Sequence, residues 1–407
     1  MSCRRFHKLA RNGSVLLIVV IIVVLMLVIG MGVTSLGMYG RLFAVRSSSR
    51  ILARSAADSA LSQAVDEMNA KLKIKPWNDT TLPAATDVPV ADIDAVASFD
   101  YTVSEESNDV YSVEAVGHAV NSVHTIHSTL RLYSPFDYAM LTRGPIELKN
   151  AARVDWINYQ PDDWSARIGT LSVAQSAVTL MYGSFINGDV MVGVGGDPDE
   201  VLTTKSGVEI TGGAYQLTSE PPLPAIDVPY NVETMTSQGN INTSRIINAS
   251  GKYDKLDLGH NEILIINEPV TLYITDGVVM DNSSLIIVGG PGDTDNDASL
   301  ELYVEKGFSA GNSNGFANNT KDARRLQMFC LPSCKSVKLK NASSFYGAVY
   351  APYSDITLDN GADIYGSIVG RTFILKNSGT FYYDANLRDR TVNDELVRFT
   401  TDRWSED

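Results

Sequence analysis

From Val15 to Val33 the sequence reads VLLIVVIIVVLMLVIGMGV, and no charged residue occurs between Arg11 and Arg41. An uncharged run of this length rises about 28 Å as an α-helix, close to the thickness of a bilayer's hydrocarbon core. It is far longer than the roughly 7 to 15 apolar residues of a removed secretory signal, so it is expected to remain as a single membrane span. From Arg41 to Leu72 there is neither proline nor glycine. Leu52, Ala56, Ala60, Ala64 and Met68 recur every four residues there, with Leu61, Val65 and Leu72 on the adjoining stripe. The helix is therefore expected to leave the membrane and continue, with an alanine face that can lie close against a partner, until Pro76 stops it.

The period then changes. Residues 80–97 are rich in proline and alanine and read as a loop. Phe99–Ser104, Val110–Val116 and Val123–Tyr133 alternate apolar and polar positions and predict an antiparallel meander. From Phe136 onward short strand-like runs are divided by Gly, Asn and Asp, and near the C-terminus they repeat as SVKLKNASSFYGAVYAP, DITLDNGADIYGSIVGR and TFILKNSGTFYYDANL. Leu339, Leu358 and Leu375 correspond, as do Asn341, Asn360 and Asn377, and Phe345, Ile364 and Phe381; IELKN at Ile146–Asn150 looks like an earlier copy. Gly347 and Gly366 offer sharp corners. Repeats of this length predict the rungs of a β-solenoid, with a β-sandwich as the runner-up.

The expected fold is mainly β with one long N-terminal α-helix and a small antiparallel sheet, followed by a β-solenoid-like (right-handed β-helix) domain. The boundaries are a basic leader over 1–13, the long helix over 14–75, the sheet over 76–135, the β-solenoid over 136–388 and a charged tail over 389–407.

Charge is strongly segregated. The chain has 33 basic and 47 acidic residues, yet all eight charges up to Arg54 are basic. The remainder is acidic and would repel a phosphate backbone, so nucleic acid is not expected as a partner. Arg4, Arg5, Lys8 and Arg11 favour a cytoplasmic N-terminus, although Arg41, Arg46, Arg50 and Arg54 tie the count. A short leader is easier to leave inside than a large acidic domain, which places the rest outside. Cys330 and Cys334, in C-L-P-S-C, are expected to form a disulfide in an oxidising compartment.

The leader MSCRRFHKLARNG ends on Gly13, followed by Ser14 and the apolar run. Together with the long helix this segment resembles the PilX-type minor pilins of type IV pilus assembly. The resemblance implies cleavage between Gly13 and Ser14, a place in the bacterial inner membrane and other pilins as partners of the helix. One departure is Ile18, at the fifth mature position, where most major pilins carry glutamate; several minor and tip-located pilins lack it. The later part resembles the repeat-rich domain of unassigned function that follows PilX-like anchors in several bacteria.

Candidate chemistry is sparse. Asp293, Asp295 and Asp297 alternate in G-D-T-D-N-D, as oxygen ligands for Ca²⁺ would, but Ala298 and Val304 break the EF-hand pattern. G-G-D-P-D-E at Gly195–Glu200 is a weaker loop of the same kind. His124 and His127 stand three apart on one strand and point to opposite faces, so they cannot chelate together. G-N-S-N-G at Gly311–Gly315 fits a nucleophile elbow, but His260 is the last histidine and precedes it. V-G-V-G-G at Val192–Gly196 runs into Pro198 and reads as a turn. No catalytic residue and no cofactor other than calcium is assigned, and the chain is not read as an enzyme. The expected function is a membrane-anchored assembly or adhesion component of a type IV pilus or secretion pseudopilus, its ectodomain periplasmic or extracellular and open to a surface ligand. The alternative is a membrane-tethered β-helix protein that binds or cleaves surface polysaccharide.

Overall fold

The computed structural model describes residues 14–90, 97–107, 109–158, 166–290, 297–312, 315–340, 344–359, 361, 363–376 and 379–406. They form two units, one of residues up to Leu132 together with those from Arg398 onward, the other of Tyr133–Val397.

The first unit is built on α1 (Ser14–Lys71), one uninterrupted helix of 58 residues. It ends at Lys71, short of the proline expected to stop it, and the chain then passes through turns to Pro76. From Ala53 onward the helix lies on a five-stranded sheet, antiparallel across its first four strands. The strands are β1 (Ala84–Pro89), β2 (Ala97–Ser107), β3 (Val110–Ala119), β4 (Ser122–Tyr133) and, beyond β4, the strand Arg398–Glu406. The meander β2–β3–β4 is the one the alternation predicts. β1 falls inside the stretch read as loop, where proline and alanine obscure an edge strand. Tyr111, Val113 and Ala115 of β3 face the helix, whereas Ser112 and Glu114 face outward. The charged C-terminal stretch is likewise no free tail, since its second half supplies the fifth strand.

In the second unit every described strand pairing is parallel. The strand Ser344–Leu358 pairs along its length with Asp363–Leu375, setting Phe345 against Ile364, Gly347 against Gly366 and Leu358 against Leu375. Leu339 precedes Leu358 in the same register, and Phe381 follows Ile364. These side chains are buried in one continuous apolar core. Gly366 has φ 142°, and a Cβ there would come within 1.8 Å of the Gly347 carbonyl oxygen, so the two chains touch backbone to backbone. Asn341, Asn360 and Asn377 lie outside the described residues.

The expected β-solenoid is corrected. The strands close into a parallel barrel extended by further sheets, and the chain does not climb it rung after rung. It enters in the middle, at Met140–Thr142, Ile146–Leu148 and Arg153–Ile157, and builds outward to Ala214–Gln216. The segment from Leu217 to Val228 then crosses over the barrel, burying Leu223, Ile226 and Val228, with Tyr350 Oη donating to Pro224 O at 2.6 Å. Building resumes with Arg245–Ile247 and returns to the starting point, where Phe373–Leu375 pairs with Ile146–Leu148 and Thr380–Asp384 with Arg153–Ile157. Sequence periodicity reports which residues share a register. It carries no information about which copies are neighbours when stacking order departs from chain order.

Leu358 is fully buried between Leu339 and Leu375. Leu358→Asp introduces a carboxylate with no partner into this ladder and is expected to cost more than about 3 kcal/mol. Denaturant unfolding of the full chain measures it; an unchanged midpoint would contradict the buried ladder.

Candidate functional site

The feature that distinguishes this chain is the contrast between the two halves of α1. Every large apolar residue from Val15 to Val45 is 48–75% exposed. No described residue covers this half, which is long and apolar enough to cross a membrane. The second half is different, with Ala53, Ala56, Ala57, Ala60, Ala64 and Met68 wholly buried against the sheet. The alanine stripe thus has the predicted spacing, but its second row is Ala53 and Ala57; Leu61 and Val65 are only half-buried.

Alanine permits close approach only if the opposing surface is equally bare. That surface is Gly117 in β3, where an added Cβ would stand 2.0 Å from Ala53 O and 2.4 Å from Ala57 N. The helix backbone therefore rests on the strand. A second clamp is Asn69, whose Nδ2 donates to Phe399 O at 3.1 Å while its Oδ1 accepts from Phe399 N at 2.8 Å. The side chain takes both backbone bonds that a neighbouring strand would make, and so ties Arg398–Glu406 to the helix. Tyr111 packs edge to face with both Trp77 and Phe399, and the latter two meet at a tilt, with centroids 5.1–5.9 Å apart. Tyr111 Oη donates to Asp79 at 2.7 Å, and burial is the main cause that pushes its pKa up. Arg54 and His124 converge on Glu406, His124 Nε2 at 3.6 Å. Sequence reasoning did not find Gly117 or Asn69, because a single glycine in a strand or asparagine in a helix has no periodic signal.

Of the residues singled out earlier, Ser14 is the first helical residue, while Gly13 lies outside the described residues. Asp293 and Asp295 also lie outside them. Asp297 is described, and its backbone carbonyl accepts from Arg325 Nη1 at 2.7 Å. No group of three or more potential metal ligands occurs among the described residues. Asp197, just after the V-G-V-G-G turn, caps a one-turn helix, Pro198–Val201, by accepting from Asp199 N at 3.0 Å. His124 is half-buried and His127 exposed, on opposite faces of β4.

Cys330 ends the strand Leu326–Cys330 and Cys334 precedes Ser336–Leu339. Both are free, buried thiols in this structure. The interaction between the two thiols raises the pKa of Cys330 and lowers that of Cys334, whose Sγ also donates to Ser336 O at 3.8 Å.

A family model described as a domain of unknown function, DUF7305, matches residues 218–390. No curated protein matches the sequence. Among solved structures the chain is similar to the competence-associated pilin ComZ from Thermus thermophilus, at 10% identity over 88% of this chain and 98% of that one, with a TM-score of 0.31. It is similar also to an ice-binding protein from the Antarctic ascomycete Antarctomyces psychrotrophicus, at 12% identity over 61% and 94% of the two chains, TM-score 0.32. A third is the DUF3494 domain of an ice-binding protein from Shewanella frigidimarina, at 15% identity over 61% and 94%, TM-score 0.29. Superpositions this loose carry no argument about function.

Two measurements test this geometry. Gly117→Val forces the helix off the sheet and is expected to cost about 1–3 kcal/mol, read as a lower unfolding midpoint. Exposure of the chain to an oxidising compartment is expected to join Cys330 to Cys334, with a gain of about 2 kcal/mol at most for so short a loop. Alkylation in intact cells without reductant, followed by peptide mass mapping, checks the bond; two labelled thiols would refute it.

Proposed function

We propose that this chain is a single-pass, pilin-like protein of the bacterial inner membrane, of the minor PilX type. Its helix docks among other pilins of a type IV pilus or secretion pseudopilus, and its parallel β domain acts outside by contact, in assembly or adhesion, without catalysis. The observation that carries this reading is that one continuous helix is bare and apolar along one half and clamped to an antiparallel sheet along the other. A plain membrane anchor needs no rigid continuation into a folded unit. A subunit that must hold this sheet in fixed relation to neighbouring helices does.

The outward side of the β domain supports contact in place of sugar stacking. Tyr346, Tyr365 and Tyr382 form a half-buried row with centroids 5.4 and 4.9 Å apart and planes within 11° of parallel. Each ring covers its neighbour's face, so the row presents ring edges, whereas a sugar platform requires open ring faces.

The reading is tested at the leader. Co-expression with a prepilin peptidase is expected to give a mature N-terminus at Ser14, and Gly13→Ala is expected to abolish the cut. N-terminal sequencing that still finds Met1 in the unsubstituted chain would reduce the protein to a signal-anchored one.

A further inference from the structure

The sheet of the first unit carries a groove of about 520 Å³ on the side away from the helix, floored by β2, β3 and β4 and bounded beyond β4 by Trp404 of the strand Arg398–Glu406. Register sets its floor. Thr102, Glu114 and His127 stand side by side across three strands, and Ser104, Ser112 and Thr129 form the next row. The residues between the rows, Val103, Val113 and Ser128, are buried, which fixes both rows on the outer side. Strands lie about 4.8 Å apart and like-facing residues about 7 Å apart, so the six side chains make a polar grid of roughly 10 by 7 Å.

A polar outer face is ordinary for a sheet that buries its other side. Trp404 is not. It is 59% exposed, whereas Trp77 packs on Tyr111 and Phe399, and Trp156 on the core of the β unit. Most of a large apolar ring is thus left in water at the rim of a hollow lined by hydrogen-bonding groups. The strand that carries it does not need it, being held to the unit through Phe399 at one end and Glu406 at the other.

These groups describe an occupant with an apolar face and a rim of hydroxyls. Glu114 and Glu106 are exposed acceptors, and the serine and threonine hydroxyls both donate and accept. Ser104 and Ser112 share one hydrogen bond at 2.9 Å, which holds the centre of their row in place and leaves lone pairs for a ligand. Two carboxylates stand against the guanidinium of Arg403, so the lining does not favour an anion. An apolar peptide side chain would find no pocket here, because Trp404 and the buried Val113 are the apolar residues of the lining.

We propose that this groove binds one or two rings of a neutral sugar, the apolar face of one ring lying on Trp404 and its hydroxyls donating to Glu114 and bonding with the serine and threonine row. The volume suits a ligand of that size, and one stacking surface with a few placed polar groups is the usual make-up of a small-molecule site. The proposal does not rest on the pilin-like reading, since the groove lies wholly within the first unit and would stand if Gly13 were never cut.

The test is calorimetric titration of the full chain, held in a detergent without a sugar headgroup, with maltotriose, cellotriose, triacetylchitotriose and glucuronate. Binding of at least one of the three neutral sugars is expected, with glucuronate weaker. Trp404→Ala is expected to weaken that binding about tenfold and Glu114→Gln about fivefold, as loss of a stacked ring and of a charge-assisted hydrogen bond would. Both side chains are exposed, so both variants are expected to keep the unfolding midpoint of the parent. No binding of any neutral probe, or glucuronate bound as tightly as the neutral sugars, would overturn the proposal. Unchanged affinity in either variant would overturn it too, since the sugar would then lie elsewhere on the chain.

Discussion

The β unit depends on one closure. Its strands form two arms, one growing from Met140 to Gln216 and the other from Arg245 to Asp384, and the arms are joined where Phe373–Leu375 pairs with Ile146–Leu148 and Phe381 with Val154. The paired residues are about 230 positions apart, so the closure forfeits more chain entropy than any local turn in the unit. What offsets it is burial. Leu148, Leu375, Val154 and Phe381 are all fully enclosed, and each continues an apolar ladder from the arm on either side. Without this junction each arm would end in an open parallel edge, its inner apolar face uncovered at one end. Contacts of such high sequence separation form late, which makes the second arm the element that completes the unit.

The crossing segment follows from the same constraint. A chain that begins in the middle of its own barrel must travel past what it has built before it can start the second arm. Leu217 to Val228 does this along the outside, and the proline-rich EPPLPAIDVP suits it because an extended segment that joins no ladder needs few backbone donors. Its carbonyls are taken by side chains, Pro224 O by Tyr350 and Leu223 O by Arg143 Nη2 at 2.6 Å. Its apolar side chains belong to the same core as the strands beneath.

Legibility in the sequence tracks the range of the interaction. The helix was readable to within a few residues because one segment's composition and its period of nearly four suffice. The meander was readable because adjacent strands pair with adjacent sequence. The register of Leu339, Leu358 and Leu375 was readable as well, since identical surroundings select similar residues. IELKN could be recognised as a copy, yet nothing local says that Leu148 stands next to Leu375, at the opposite end of the domain's sequence. The same holds for Gly117 beneath Ala53, for Asn69 bridging to Phe399, and for the fifth strand hidden in a charged C-terminal stretch. Cys330 and Cys334 were expected to be bonded from spacing and compartment. The fold brings the two together; whether they bond is set by the redox potential of the compartment, which no local sequence pattern encodes.

α1 shows how one helix meets two different solvents. Where it lies on the sheet, the favourable term is close contact, and alanine opposite glycine lets the two backbones touch without any large side chain to order. Where it is bare, large aliphatic side chains face outward on every side, an arrangement that water would not tolerate over so great a length. Arg41, Arg46 and Arg50 mark the change, and Arg54, one turn further on, is already paired with Glu406 of the sheet. Lipid tails and the apolar faces of neighbouring helices are almost equally non-polar, so the bare half loses little in passing from one to the other, and van der Waals fit decides the difference. Under the proposed function, the surface that would anchor the chain in a bilayer is the same surface on which a neighbouring helix would pack, and one apolar segment would serve membrane retention and assembly without any further residue being assigned to either.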